Sequence, residues 1–89
     1  MIAIVESPGF KRAYKKLIKN NPGLRDRFRE RVSVFINDPY APSLRTHRLG
    51  GRLKNSWAFS ITGTLRIVFS FQGADLVLFE DFGTHDEVY

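Results

Sequence analysis

The chain has no cysteine, which excludes disulfides and thiolate zinc sites and fits a reducing cytoplasm. It has no long apolar run. Its apolar start, Met1 to Val5, is too short for a signal-peptide core or a membrane span. It has no acidic side chain between residues 39 and 74, a window that holds Arg45, His47, Arg48, Arg52, Lys54 and Arg66. The last fifteen residues lack Lys and Arg altogether and carry Asp75, Glu80, Asp81, Asp86 and Glu87. Repeats, linkers and low-complexity segments are missing too.

What is present is globular. Apolar residues make up 43% of 89 residues, with eight Phe, which is too apolar for a disordered chain. This length is expected to form one domain, residues 1–89, burying about 60–65% of its unfolded surface. The formal net charge of +5 favours a nucleic acid or an acidic protein as partner. Lys and Arg on a solvated surface are the plainer reading of the same number.

Met1 to Val5, rich in β-branched residues, predicts a short buried strand. Ser7-Pro8 predicts an N-cap with proline in the first helical position. Phe10, Ala13, Tyr14, Leu17 and Ile18 follow at helical spacing, and Asn20-Asn21-Pro22-Gly23 stops them. A second helix is predicted from about Pro22 to Asn37, with Leu24, Phe28, Val32, Phe35 and Ile36 as its apolar stripe. Asp38-Pro39 ends it, because the residue before proline leaves the α region. A connection this short pairs the two helices as a hairpin.

After Pro42 the period changes from helical to two. Trp57, Phe59 and Ile61 alternate with Ala58 and Ser60, and Leu65, Ile67, Phe69 and Phe71 alternate with Arg66, Val68 and Ser70. Turns at Gly63 and Gln72-Gly73-Ala74 separate three strands, the last from Asp75 to Phe82. Gly50-Gly51 marks a bend or a short strand leading in. The expected fold is α+β in the order β-α-α-β-β-β, with a helical hairpin on one face of an antiparallel meander. The other face, with Ala58, Ser60, Arg66 and Ser70, is left for a ligand.

Chemistry can come from few residues. Histidine moves protons near neutral pH, and the chain has two, His47 and His85. Arginine braces phosphate oxygens with its planar fork. Cleavage of RNA by its own 2′-hydroxyl needs a base, an acid and a cation for the charged phosphorane. His47, His85 and Arg66 can fill these roles. Each also has a plain reading, as surface or capping histidines and as an arginine paired with Glu80 or Asp81. Asp86 and Glu87 follow His85 directly and are positioned to act on its charge. Tyr89 either packs on the sheet or stacks on an unpaired base. Arg45, Arg48, Arg52 and Lys54 are the candidate RNA contacts. Trp57 shares a face with Phe59 and Ile61 and reads as core. Two histidines without fixed spacing specify no metal site, and no cofactor is expected.

With these residues in place, the chain resembles the RelE/YafQ-type toxins of bacterial toxin–antitoxin systems, within the RelE/ParE superfamily. The resemblance rests on Asp38-Pro39, His47-Arg-Leu-Gly-Gly-Arg-Leu53, Trp57-Ala-Phe-Ser-Ile61, Arg66-Ile-Val-Phe69 and Gly83-Thr-His-Asp-Glu-Val-Tyr89, taken in this order and spacing. It runs essentially end to end. It implies a compact microbial-RNase-type fold and cleavage of mRNA in the ribosomal A site. It also implies a cytoplasmic life with a cognate antitoxin. By position, His47 and His85 match the loop histidines of the YafQ branch, Arg66 the strand arginine and Tyr89 the C-terminal aromatic. Three positions depart. Ser60 stands where that branch has a histidine, Thr64 where it has an aspartate, and Leu65 where an aromatic is usual. The same fold also implies two other functions: a ParE-like inhibitor of DNA gyrase that cuts no RNA, or a degenerate toxin acting in autorepression with its antitoxin.

Overall fold

The structure, a computed structural model, describes residues 1–88, the side chain of Arg52 excepted. Strand β1 (Ala3–Glu6) leads into helices α1 (Pro8–Asn20) and α2 (Leu24–Asn37). Four strands follow: β2 (His47–Arg48), β3 (Trp57–Ser60), β4 (Leu65–Phe71) and β5 (Leu76–Thr84). A last turn of helix, α3, spans His85–Val88, and single 3-10 turns at Pro42–Leu44 and Gly51–Leu53 shape the segment around β2. No described helix is long and apolar enough to cross a membrane.

Local chemistry sets the helix ends. The Ser7 hydroxyl accepts the Phe10 amide at 3.0 Å, and Pro8 gives up no hydrogen bond at the first helical position. The same hydroxyl donates to the Glu80 carbonyl at 2.8 Å, so the cap also fixes α1 to β5. Before Pro39, α2 closes with the Asp38 amide on the Val34 carbonyl.

The sheet order is β1-β5-β4-β3-β2. Strands β2 to β5 pair antiparallel, as the meander predicts. β1 joins differently: it lies parallel to β5, with Ala3 opposite Leu76 and Glu6 opposite Phe79. Two helices and three strands intervene, which gives the length that a parallel crossover needs. β1 is also not the buried strand expected from its composition. As an edge strand it leaves Ala3, Val5 and Glu6 exposed and turns only Ile4 partly inward.

The core is aromatic. Phe35 of α2 is fully buried, stacked on Phe59 at 4.4 Å and edge-on to Phe69 at 4.9 Å. Phe10 of α1 meets Phe79 at 5.2 Å and Phe82 at 5.8 Å. The two helices touch through Tyr14 and Phe28 at 4.8 Å. Trp57 lies at the rim of this core, half-buried and edge-on to Phe71 and Tyr40.

One irregularity shapes the other face. Val68 pairs with Asp81, but Phe69 pairs with Phe79, so Glu80 is an extra residue in β5. The bulge swings its carboxylate to accept the Ser56 hydroxyl at 2.7 Å.

Candidate active site

Side chains alternate along a strand, so the register decides which candidates meet. Phe59 and Ile67 face the helices. Their neighbours Ala58, Ser60, Arg66 and Val68 therefore face away from them. In one cross-strand row His47, Ala58, Val68 and Asp81 follow one another from β2 to β5. In the next row Ser60, Arg66 and Gly83 do the same. Ala58 and Val68 are buried and make a small apolar floor. His47 and Asp81 end the first row, and Ser60 and Arg66 lie in the second, two residues or about 7 Å further along the strands. His47 and Arg66 thus share the helix-free face, with β3 between their strands, although they lie 19 residues apart in sequence.

His47 is exposed, and its Nδ1 lies 3.0 Å from the Arg45 carbonyl. A carbonyl can only accept, so Nδ1 carries the proton and Nε2 is the basic nitrogen of the neutral ring. A ring in this tautomer can act as a general base through Nε2. The carbonyl is aimed there by an unusual backbone: Arg45 has φ 53, the only described non-glycine residue with positive φ. Such strain at a non-glycine residue must be held by its surroundings. Here the Arg45 amide closes the Pro42–Leu44 turn, and buried Leu44 anchors it.

His85 opens α3 at the end of β5 and is exposed, with Nδ1 3.7 Å from Asp86 Oδ1. Of the two carboxylates expected to act on it, Asp86 is the one the structure pairs with it. Glu87 turns back instead. Its Oε1 accepts the Thr84 amide at 2.9 Å, while the Thr84 hydroxyl accepts the Glu87 amide at 3.3 Å. This reciprocal pair is a capping box. The Thr84 amide, the Thr84 hydroxyl and the Lys16 ammonium hold the Glu87 carboxyl below its ordinary value. Thr84-His-Asp-Glu87 spells that motif in the sequence, and the sequence reading passed over it. It is the device that fixes where His85 begins.

Gly83, opposite Arg66, has a reason to be glycine. A Cβ there would sit 3.1 Å from Glu87 Oε1 and 3.1 Å from Val88 Cγ1. The returning turn of α3 thus lies over β5 next to the Arg66 position.

The candidate RNA contacts fall in different places. Arg48 pairs with Trp57, one residue out of phase with His47, so it leaves the sheet on the helix side. Its Nε donates to the Lys54 carbonyl at 3.4 Å, and both side chains are exposed. Neither Arg48 nor Lys54 shares a cross-strand row with Arg66. Arg45 instead lines a cleft with Arg27 and Arg31 of α2, two residues that the sequence does not single out. The Glu80 carboxylate accepts the Ser56 hydroxyl, and Asp81 Oδ1 accepts the Phe82 amide. Tyr89 and the Arg52 side chain lie outside the described residues. Among the described residues no three His, Asp or Glu side chains group to hold a metal ion.

No protein-family model matches the chain, and no curated protein matches it by sequence. Solved structures do. The metal-bound toxin from Helicobacter pylori superposes with a TM-score of 0.82 at 25% identity, over 100% of both chains. YafQ from E. coli gives 0.81 at 18% identity, covering 100% of this chain and 99% of that one. The YoeB/ParE toxin from Agrobacterium tumefaciens gives 0.79 at 16%, covering 96% and 99%. Its fold is that of these toxins. The superposition runs end to end, which bears out the RelE/YafQ-type architecture expected from the sequence. YafQ has also been solved in a DinJ–YafQ toxin–antitoxin complex, and that form superposes with a TM-score of 0.78.

Proposed function

We propose that the chain is the toxin of a toxin–antitoxin pair and cleaves mRNA on the ribosome through its own side chains. The observation that carries this reading is the helix-free face. It carries a histidine, a strand arginine and a small apolar floor, with a second histidine at the capped start of α3, at the end of β5. The toxin fold supports it, and the net charge of +5 suits an RNA substrate and an acidic antitoxin.

The chemistry follows from the residue types. Arg66 grips the scissile phosphate with its fork. His47 Nε2 takes the proton of the 2′-hydroxyl, whose oxygen attacks phosphorus. The bond from phosphorus to the 5′-oxygen breaks, and His85 gives its proton to that leaving oxygen. The product ends are a 2′,3′-cyclic phosphate and a 5′-hydroxyl. His47 has gained a proton and His85 has lost one, and solvent restores both. Tyr89 would stack on a base beside the cut, with Arg45, Arg48, Arg52 and Lys54 as further RNA contacts.

Ser60 favours a second reading. It offers no proton near neutral pH at the position beside Arg66, as a non-nuclease inhibitor of gyrase would allow. Inducible expression with mapping of transcript 5′ ends separates the two. Cuts within translated codons, lost in His85→Ala, support the nuclease. DNA damage with intact transcripts overturns it. Rescue of growth by the neighbouring open reading frame tests the antitoxin.

A further inference from the structure

A second arginine cluster lies beside this face, at the edge of β3. Strand β2 covers only Trp57 and Ala58, so the end of β3 has no strand beside it. Side chains from α2 cover it instead. Arg27 Nε donates to the Ile61 carbonyl at 3.3 Å, and Arg31 Nη1 donates to the Ser43 carbonyl at 3.4 Å. With Arg45 they line a cleft of about 190 Å³, together with Ser43, Ser60 and Thr62. Among the described residues no carboxylate lines it.

Arg31 sets this cleft apart from an ordinary basic surface. Its Nε is buried and makes no hydrogen bond among the described residues. The Glu30 carboxylate approaches only to 4.0 Å, and most of the Glu30 side chain is in solvent. A charged donor shut away from water and left unmade is costly, and a bound water or ion is one way such a group is satisfied. Neutral backbone carbonyls take one donor each from Arg27 and Arg31, and the other guanidinium N–H groups make no hydrogen bond among the described residues. Guanidinium forks with hydroxyls between them match a tetrahedral oxyanion.

The position of Ser60 says whose oxyanion. Ser60 lines the cleft and is also the direct cross-strand neighbour of Arg66, with Cα atoms about 4.5–5.5 Å apart. A strand gripped by Arg66 therefore passes the mouth of the cleft. We propose that Arg27, Arg31 and Arg45 bind a second backbone phosphate of the single-stranded RNA whose scissile phosphate lies on Arg66. This rests on the nuclease reading above. The cleft would fix the register of the strand and contribute affinity rather than chemistry.

The test uses the whole chain carrying His85→Ala, so that RNA is bound and not cut. Affinity for a labelled single-stranded oligoribonucleotide is measured by fluorescence anisotropy over a salt series. Each phosphate contact contributes about 0.7 to the slope of log affinity against log salt. The double change Arg27→Gln with Arg31→Gln is expected to lower the slope by about 0.7. So is Arg45→Gln alone, an exposed loop position that decides the matter if the double variant does not fold. The Arg31 Nε–H resonance should move when RNA is added. Unchanged slopes in both variants, with a lower slope in Arg66→Gln, overturn the cleft and leave the nuclease reading standing. Unchanged slopes with weakened antitoxin binding overturn it in favour of a partner carboxylate. Absence of RNA binding in every form overturns both readings.

Discussion

Gly83 faces Arg66 across the β4–β5 ladder, and the side chains of Glu87 and Val88 occupy the space where a β-carbon would stand. The glycine lets α3 fold down beside the arginine. Gly83→Ala forces Glu87 and Val88 outward by a few tenths of an ångström. Because α3 is short and exposed, the stability loss should be about 1 kcal/mol, at the low end for overpacking. Activity should fall further than stability, since the start of α3 carries His85. Thermal melting and transcript cleavage on the same samples check both.

The row beside Gly83 offers a gain-of-function test. Ser60 is the cross-strand neighbour of Arg66 on the side away from Gly83. Ser60→His would set an imidazole next to the proposed phosphate. A well-placed acid or base contributes about 10²–10⁴-fold, so even partial alignment should raise cleavage at least about tenfold. His85→Ala should lower it by a factor within that range, and His47→Ala by less where solvent replaces the base. Primer extension on a single reporter transcript reads all three.

Ser56 and Glu80 provide a stability test away from the chemistry. The hydroxyl donates to the carboxylate at 2.7 Å, and Ser56 is itself buried. Ser56→Ala removes a charge-assisted hydrogen bond and should cost about 1–2 kcal/mol. The urea midpoint should fall with the slope m unchanged, because the surface exposed on unfolding is the same.

The capping box makes α3 sensitive to acid. Glu87 is held below the ordinary carboxyl value of 4.5, first by the Thr84 amide, then by its hydroxyl and Lys16. A lowered folded value means that the unfolded chain binds the proton more readily. The stabilisation is complete above 4.5 and is lost as pH falls through the lowered value. Glu87→Gln should remove that pH dependence. The amide resonance of Thr84, followed across an acid titration, should report the loss in the unmodified chain and none in the variant.

Much of this molecule can be read in its sequence because its cues are local. The Ser7-Pro8 cap, the apolar stripes of α1 and α2, and the alternation from Trp57 to Phe71 each lie within a few residues, and each element formed where its cue stood. The split of the sheet into a Phe face and an Arg66–Ser60 face followed from period two alone. What stayed hidden depends on long-range pairing. β2 is two residues long and exists because Ala58 and Trp57 pair with it. The Glu80 bulge is a mismatch between two strands and is not a property of either. Arg27 and Arg31 look like solvated helix residues until the edge of β3 arrives beside them. The Thr84–Glu87 box was local and legible, and it was passed over.

The parallel pairing of β1 with β5 has a consequence for synthesis. Ala3 needs Leu76, and the Ser7 cap needs the Glu80 carbonyl. β1 is therefore made long before the strand it pairs with, and waits for it. Closing so long a loop adds little to the equilibrium cost, since each doubling of length adds only about 0.6 kcal/mol. It does slow the approach to the folded state. A nascent chain stopped before residue 76 has helices and a hairpin, but nothing for β1 to pair with. Fragments should therefore stay unfolded and open to proteases, and the fold should arrive in one step after most of the chain has been made.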